Sequence, residues 1–448
     1  MADITRARFK NNVDTITGPN SMFIRRYRGR TFYFFGDEHS GSRNGCSDLY
    51  GDEIGKCNDI VPNFNAVQPT DSRCITLTAL LHLWFLHNNH KGIKTDFYLE
   101  HSFTKDVRRR TAMAVRNEMN RRRAGGSIGP DDRLLDRFSW MTITELFMEP
   151  CFTKDKTLPC PYSPNVRVHY ADVRTIDIRG ERHIVDLFLI HDIRKSIEDS
   201  VSTGNAIDKL DELKTTVAIL VTESEMIIRY LMSPSKYDEL IDWLRRSDLL
   251  QDYKNKINLL HHMTVVRDGI RMHRIAAELL KLSEVNPVMA ENIRLFIIEQ
   301  SHHIVETEAR EIIEFIGSID DYIYSGKNIS SMEAISIIGD LYTQSEEMLT
   351  SLSVLSMDAY TLARMMYHRD STEVIAFTGS YHTDNYNRFF DRIEADILSA
   401  IPSEDSFRCI ISDTLERDIP VRNFRNYDFE HRLQGEAREK LKRFANLR

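Results

Sequence analysis

Four short apolar runs, each ending in polar residues, constrain the fold of this chain most strongly. The ends of these runs read FFGDEH, FYLEH, HYADVR and FTGSYH. Apolar segments of four to eight residues that are rich in Phe, Tyr and Val are typical of buried strands. Between the third and fourth runs, apolar residues recur with the period of amphipathic helices. The sequence therefore predicts an α/β fold: a mostly parallel sheet flanked by helices, with a large helical insertion.

The spacing of the runs predicts a core that is discontinuous in sequence. We expect a first part of the α/β core at 22–182, a helical insertion or lid at 183–369, and the last part of the core with a C-terminal tail at 370–448. The predicted strands run from Thr31 to Gly36, from Thr95 to Glu100, from Val166 to Arg174 and from Glu373 to His382.

Composition and charge exclude several classes of protein. The chain has 448 residues, of which 42% are hydrophobic and 28% charged, as in ordinary globular proteins. A net charge of -8 argues against a nucleic-acid binder, and no run approaches the eighteen or so apolar residues of a membrane span. The six cysteines contain no C-x-x-C pair, which argues against a zinc knuckle. We expect free thiols and hence a cytoplasmic protein.

Polar side chains follow every predicted strand at the point where the strand ends. In a parallel sheet the carboxyl ends of the strands lie along one edge, where ligands bind in open α/β sheets. A single acid at such a position is more often a helix N-cap or a turn former. Four such ends with two histidines, several acids and an arginine predict a site instead. Its candidate residues are Asp37, His39, Glu100, Asp172, Arg174 and His382.

These residue types permit two kinds of chemistry. Histidine nitrogen and carboxylate oxygen suit a divalent ion such as Mn, Co or Zn, which activates bound water and polarises a carbonyl. Alternatively, His39 and Glu100 act without metal, the carboxylate orienting the imidazole as a general base. Arg174 either stabilises a developing anion or neutralises Asp172 in a salt bridge. The sequence leaves these alternatives open.

The motifs GDEH at 36–39, the strand ending in Glu100, DVR at 172–174 and GSYH at 379–382 carry a family resemblance. The chain resembles the superfamily that joins the TIKI and TraB proteins, the ChaN-like haem-binding lipoproteins and the erythromycin esterases. It is also similar to uncharacterised members of this group that are encoded by large DNA viruses. The shared pattern is a G-x-x-H after the first strand, a Glu after a later strand and a second G-x-x-H near the end.

The resemblance implies a hydrolase that acts on an ester, lactone or peptide bond of a small-molecule or peptide substrate. It implies that His39 and His382 bind a metal ion or activate water, with Glu100 and Asp172 as further ligands. Glu100 is alternatively the base, Asp37 orients His39, and Arg174 steadies the oxyanion. The competing expectation is a non-catalytic protein of the same fold: a virion-associated structural component, or a ligand binder. In that case the helical block would contact other virion proteins or further copies of the chain.

Overall fold

The computed structural model describes residues 15–37, 59–60, 67–68, 74–102, 164–172, 175–178, 181–184, 274–324, 331–402, 409–411 and 419. Within these ranges the chain forms thirteen strands and five helices. The strands are β1 (Thr15–Thr17), β2 (Ser21–Tyr27), β3 (Arg30–Asp37), β4 (Asp59–Ile60), β5 (Val67–Gln68), β6 (Cys74–Thr76), β7 (Thr95–Ser102), β8 (Val166–Asp172), β9 (Thr175–Ile178), β10 (Glu181–Ile184), β11 (Glu373–Gly379), β12 (Asp396–Ile401) and β13 (Cys409–Ile411). The helices are α1 (Leu77–Lys91), α2 (Arg274–Val285), α3 (Pro287–Tyr324), α4 (Ser331–Tyr367) and α5 (Ser380–Arg392). None of these five helices is long and apolar enough to cross a membrane.

A six-stranded sheet contains the four strands that the sequence predicts. Its order is β12-β2-β3-β11-β7-β8. Strand β11 pairs in parallel with both β3 and β7, whereas β2 is antiparallel to β3 and to β12. The edge strand β8 starts where β7 starts, since the Thr95 N–H donates to the Asn165 carbonyl at 2.8 Å. The α/β prediction is confirmed at this level: the sheet is mostly parallel and helices flank it.

The aromatic run in β3 explains why helices cover both faces of the sheet. Successive side chains of a strand point to opposite faces. Tyr33 contacts Trp84 of α1, with ring centroids 4.6 Å apart. The neighbouring residue Phe34 instead contacts Phe390 of α5, at 5.2 Å. Helices α1 and α5 therefore lie on opposite faces, and β3 is buried between them.

Helix α1 has capping groups at both ends. The Thr76 hydroxyl accepts a hydrogen bond from the Ala79 N–H at 3.1 Å, which satisfies a donor in the first turn. At the other end Gly92 adopts a φ of 73°, the left-handed conformation that commonly ends helices, and its N–H donates to the Asn88 carbonyl. These caps fix the length of α1 and so the start of β7 three residues after Gly92.

A buried carboxylate holds the amino ends of the central strands. Asp96 of β7 is fully buried, and its two oxygens accept hydrogen bonds from Arg167 of β8 at 2.7 and 2.9 Å. His169, two residues further along β8, contacts the same carboxylate at 2.9 Å and stacks on Tyr98. Arg167 also donates to Asp370, just before β11. These groups tie three parallel strands together at the amino edge.

The chain divides into two compact units, one of residues 1–171 and 368–448 and the other of residues 172–367. The described part of the second unit holds the β9–β10 pair and helices α2, α3 and α4. Helices α3 and α4 have 38 and 37 residues and pack against each other. Glu278 of α2 is buried and accepts hydrogen bonds from Lys281 at 2.8 Å and Arg364 of α4 at 3.1 Å. The second of these ion pairs joins α2 to α4.

Two sequence predictions need correction. Strand β11 ends at Gly379, so His382 lies in the first turn of α5 and not on the predicted strand. The prediction of free thiols is wrong for Cys74 and Cys409, which are both disulfide-bonded. They are not bonded to each other, because β6 and β13 lie on opposite sides of β1, about 10 Å apart. The other four cysteines lie outside the described residues. The cysteines therefore do not indicate a cytoplasmic location.

Candidate functional site

The topology gives a switch point at the carboxyl ends of β3 and β11. The chain that leaves β3 next enters the sheet at β7, after α1 on one face. The chain that leaves β11 forms α5 on the other face and reaches β12, at the opposite edge of the sheet. Adjacent strands whose connections leave in opposite directions define a topological switch point, where ligands bind in open α/β sheets.

Glu100 and His382 form a buried pair at this edge. Glu100 lies near the end of β7, and His382 is the third residue of α5. Glu100 Oε1 lies 3.4 Å from His382 Nε2, and their side chains are 7% and 3% exposed. The second oxygen, Oε2, accepts the Gly379 N–H at 2.7 Å. The N-terminus of a helix favours a carboxylate through its N–H groups and its dipole. The carboxylate is thus fixed in place and oriented toward the imidazole.

Asp37 lies at the same edge on the neighbouring strand. It is the last residue of β3, is 2% exposed and pairs in register with Gly379 of β11. Gly379 therefore has Asp37 beside it on one strand and donates its N–H to Glu100 of the next. Its burial and its place at the carboxyl edge make Asp37 a candidate for a functional group rather than a solvated turn residue.

The structure brings together some of the predicted site residues. Glu100 and His382 are in contact, and Asp37 ends the neighbouring strand. Asp172 is the last residue of β8 and is half-buried. His39 and Arg174 lie outside the described residues, so their positions stay predictions. Among the described residues, no three His, Cys, Asp or Glu side chains converge closely enough to hold a metal ion. A metal site built from His39, His382, Glu100 and Asp172 likewise stays a prediction.

Sequence reasoning missed two polar residues beside the site. Ser380, the first residue of α5, donates its hydroxyl to Asn20 Oδ1 at 2.7 Å. Asn20 stands directly before β2, and 360 residues separate the two. Ser380 lies within the GSYH motif, which is the one signal for it. Nothing in the sequence around Asn20 indicates its partner.

Comparison with known proteins adds no relative. No family model, curated protein or solved structure gives a significant match to the chain. The functional conclusion therefore depends on the residues and on their geometry.

Proposed function

We propose that the chain is a hydrolase that cleaves an ester, lactone or peptide bond at the carboxyl edge of its sheet. The observation that carries the proposal is the buried Glu100–His382 pair beside the switch point between β3 and β11. Two ionisable groups are placed in contact there and away from bulk water, at the edge where α/β enzymes bind their substrates. The resemblance to the TIKI, TraB, ChaN-like and erythromycin esterase superfamily supports the same reaction class.

We propose His382 as the general base. Its Nε2 lies 3.4 Å from Glu100 Oε1, and in this proposal the neutral ring carries its proton on Nε2 and acts through Nδ1. Nδ1 takes a proton from a water molecule while the water oxygen attacks the substrate carbonyl carbon. The tetrahedral intermediate then expels the alcohol or amine, which receives that proton, and a carboxylic acid remains. Glu100 holds the ring and stabilises the imidazolium formed during attack.

The other predicted residues keep the roles that the resemblance implies. Asp37 would orient His39, Arg174 would steady the oxyanion, and a metal ion would be held by His39, Glu100, Asp172 and His382. When bound, Mn, Co or Zn would supply a Lewis acid that polarises the carbonyl. We also propose that residues 183–369 are a helical insertion or lid in the α/β core. The substrate would be a small molecule or a peptide.

Replacing either member of the pair tests the proposal. We expect His382→Gln to lower kcat by about 10²- to 10⁴-fold, because it removes the base. Glu100→Gln keeps an oxygen for the Gly379 N–H but removes the charge that holds the ring, and should cause a loss of similar size. Hydrolysis of a panel of chromogenic esters, lactones and peptides is the measurement.

His302→Gln is the matched control, since His302 is half-exposed on α3. Circular dichroism and thermal unfolding show whether each variant is folded. Turnover that persists in both His382→Gln and Glu100→Gln would overturn the assignment of these two residues to the catalytic site. Metal content by mass spectrometry, in the wild type and in His382→Ala, separates the metal-assisted route from the metal-free route.

A further inference from the structure

The first turn of α5 is tied to the start of β2 by a short chain of hydrogen bonds. Ser380 donates from Oγ to Asn20 Oδ1 at 2.7 Å, and the Asn20 N–H donates to the Gly36 carbonyl at 2.8 Å. Asn20 is 4% exposed, so water does not readily replace these bonds. The β2–β3 hairpin therefore determines where α5 begins.

Steric contact with β3 also restricts the first turn of α5. A Cβ atom at Gly36 would lie 3.0 Å from the Ser380 Cα and 3.3 Å from the Thr383 Cβ, so the helix packs directly on the backbone of β3. Inside the turn, the Thr383 hydroxyl donates to the Gly379 carbonyl at 3.2 Å. The turn can move away from the sheet but not toward it, and the Asn20–Ser380 bond opposes the outward movement.

His382 follows Ser380 by two residues in this turn, so any displacement of the turn moves the imidazole relative to Glu100. Glu100 belongs to a different element, β7, and accepts a hydrogen bond from Gly379, the last residue of β11, so it is held by the sheet rather than by the turn that carries His382. The 3.4 Å contact between Nε2 and Oε1 thus depends on what fixes the turn. A misplacement of about 1 Å in a catalytic group can cost about a hundredfold in rate.

We propose that Asn20 and Ser380 are a positioning pair that sets the orientation of His382 for the hydrolysis. This inference rests on the proposed function for its kinetic consequence, but its structural content concerns the His382 ring alone. Neither residue touches the substrate in this proposal, and both act through His382.

Kinetics of Ser380 variants test the pair. Ser380→Ala keeps the backbone and the helix but removes the donor, so kcat should fall by about ten- to a hundredfold while KM is unchanged. Ser380→Thr retains a hydroxyl and should restore most of kcat. Ser283→Ala is the matched control, because Ser283 also donates to a carbonyl oxygen but lies half-buried on α2, in the other compact unit. Equal kcat in Ser380→Ala and wild type would overturn the proposal.

A double-mutant cycle shows whether the two residues act as a unit. If Ser380 acts through Asn20, the variant with both Asn20→Ala and Ser380→Ala should lose no more of kcat than the more affected single variant. Losses that multiply would mean that the residues act separately, and would overturn the pair.

A measurement without substrate separates this inference from the proposed function. The ¹³Cε1–¹Hε1 resonance of His382 can be assigned by its disappearance in His382→Gln. Ser380→Ala should shift this resonance and leave that of His302 in place, and Ser380→Thr should return it to the wild-type position. If Ser380→Ala shifts the His382 resonance but the wild-type protein hydrolyses no substrate of the panel, the hydrolase proposal is overturned and the positioning pair is supported. If the His382 resonance does not shift in Ser380→Ala, the proposed positioning role of Asn20 and Ser380 is overturned, whatever the enzymatic activity.

Discussion

Gly36 lies where a helix and a strand approach too closely for any side chain. A Cβ atom there would lie 2.1 Å from the Ser21 hydroxyl oxygen and 3.0 Å from the Ser380 Cα, and the second atom belongs to the backbone of α5. We expect Gly36→Ala to lower the free energy of unfolding by about 1–3 kcal/mol, because the helix must move. Urea denaturation monitored by circular dichroism measures the change.

A second glycine provides the control for this prediction. Gly317 lies within α3, and a Cβ atom at this position would have no neighbouring atom within 4 Å. Gly317→Ala should therefore stabilise the chain by about 0.4–1 kcal/mol, since alanine reduces the entropy of the unfolded chain. A Gly36→Ala variant as stable as Gly317→Ala would contradict the close approach of α5 to β3.

Asp96 should make stability depend on pH in the acid range. Burial alone would raise the pKa of this carboxyl, but hydrogen bonds from His169 and Arg167 hold the pKa well below its usual value. A lowered pKa means that the folded state holds the proton less tightly than the unfolded state. The stabilisation is therefore complete above about pH 4, the ordinary pKa of aspartate, and is lost as the pH falls further.

Asp96→Asn should remove this dependence. We expect it to cost about 1–3 kcal/mol at pH 7, because Arg167 and His169 lose a charged acceptor while Arg167 keeps its hydrogen bonds to Asp370. Between about pH 4 and 2 the difference in unfolding free energy between the variant and the wild type should narrow, since Asp96 of the unfolded wild type then binds a proton that the folded state does not. Chemical unfolding at a series of pH values tests both expectations. A difference in unfolding free energy that stays constant over this acid range would contradict the lowered pKa of Asp96.

At the scale of elements, the disulfides hold the two outer strands of the small β13-β1-β6 sheet. Cys74 starts β6 and Cys409 starts β13, and both are oxidised. Crosslinks of this kind typically contribute about 2–4 kcal/mol. Reduction should therefore lower the melting temperature, and peptide mapping without reductant should find Cys74 and Cys409 in two different linked peptides. Alkylation of both thiols in unreduced protein would contradict the crosslinks.

The sequence predicts those elements in which the buried apolar residues form an uninterrupted run. Strands β3 and β7 contain runs of buried aromatic and apolar residues, and the sequence predicts both. It does not predict strand β2, because Arg25 and Arg26 interrupt the apolar run there. Arg25 is nevertheless 2% exposed, since it donates to Asn387 and pairs with Asp391 of α5. A buried arginine gives a polar signal at a core position, and its partners lie over 360 residues away.

The candidate site likewise contains residues that the sequence predicts and contacts that it does not. The sequence predicts Glu100 and His382 because each follows an apolar run at a strand end, and parallel topology brings such ends to one edge. It does not predict the helical position of His382, since the predicted strand extends to His382 whereas β11 ends at Gly379 and α5 begins at Ser380. The sequence does not predict the Asn20–Ser380 hydrogen bond, because this bond depends on how closely α5 approaches the β2–β3 hairpin. Only the packed structure determines that distance.

At the scale of the whole molecule, the two compact units should unfold separately. Each has its own buried ion pair: Asp96 with Arg167 in the first unit, and Glu278 with Arg364 in the second. We expect calorimetry to resolve two transitions. Asp96→Asn should lower the temperature of one transition and Glu278→Gln that of the other, because each removes the charge of a buried carboxylate that accepts hydrogen bonds from an arginine. Variants that shift the same transition by similar amounts would contradict separate unfolding.

The position of β11 in the sheet has a consequence during synthesis. This strand lies between β3 and β7, yet it follows the end of β7 by about 270 residues along the chain. At about 5–20 residues per second, a ribosome needs roughly 14 to 54 seconds to make that stretch. Until β11 emerges, β3 and β7 lack their shared neighbour and present unpaired edges of the kind that invite aggregation. We therefore expect the yield of native protein to depend on translation speed and on chaperones that shield the nascent chain.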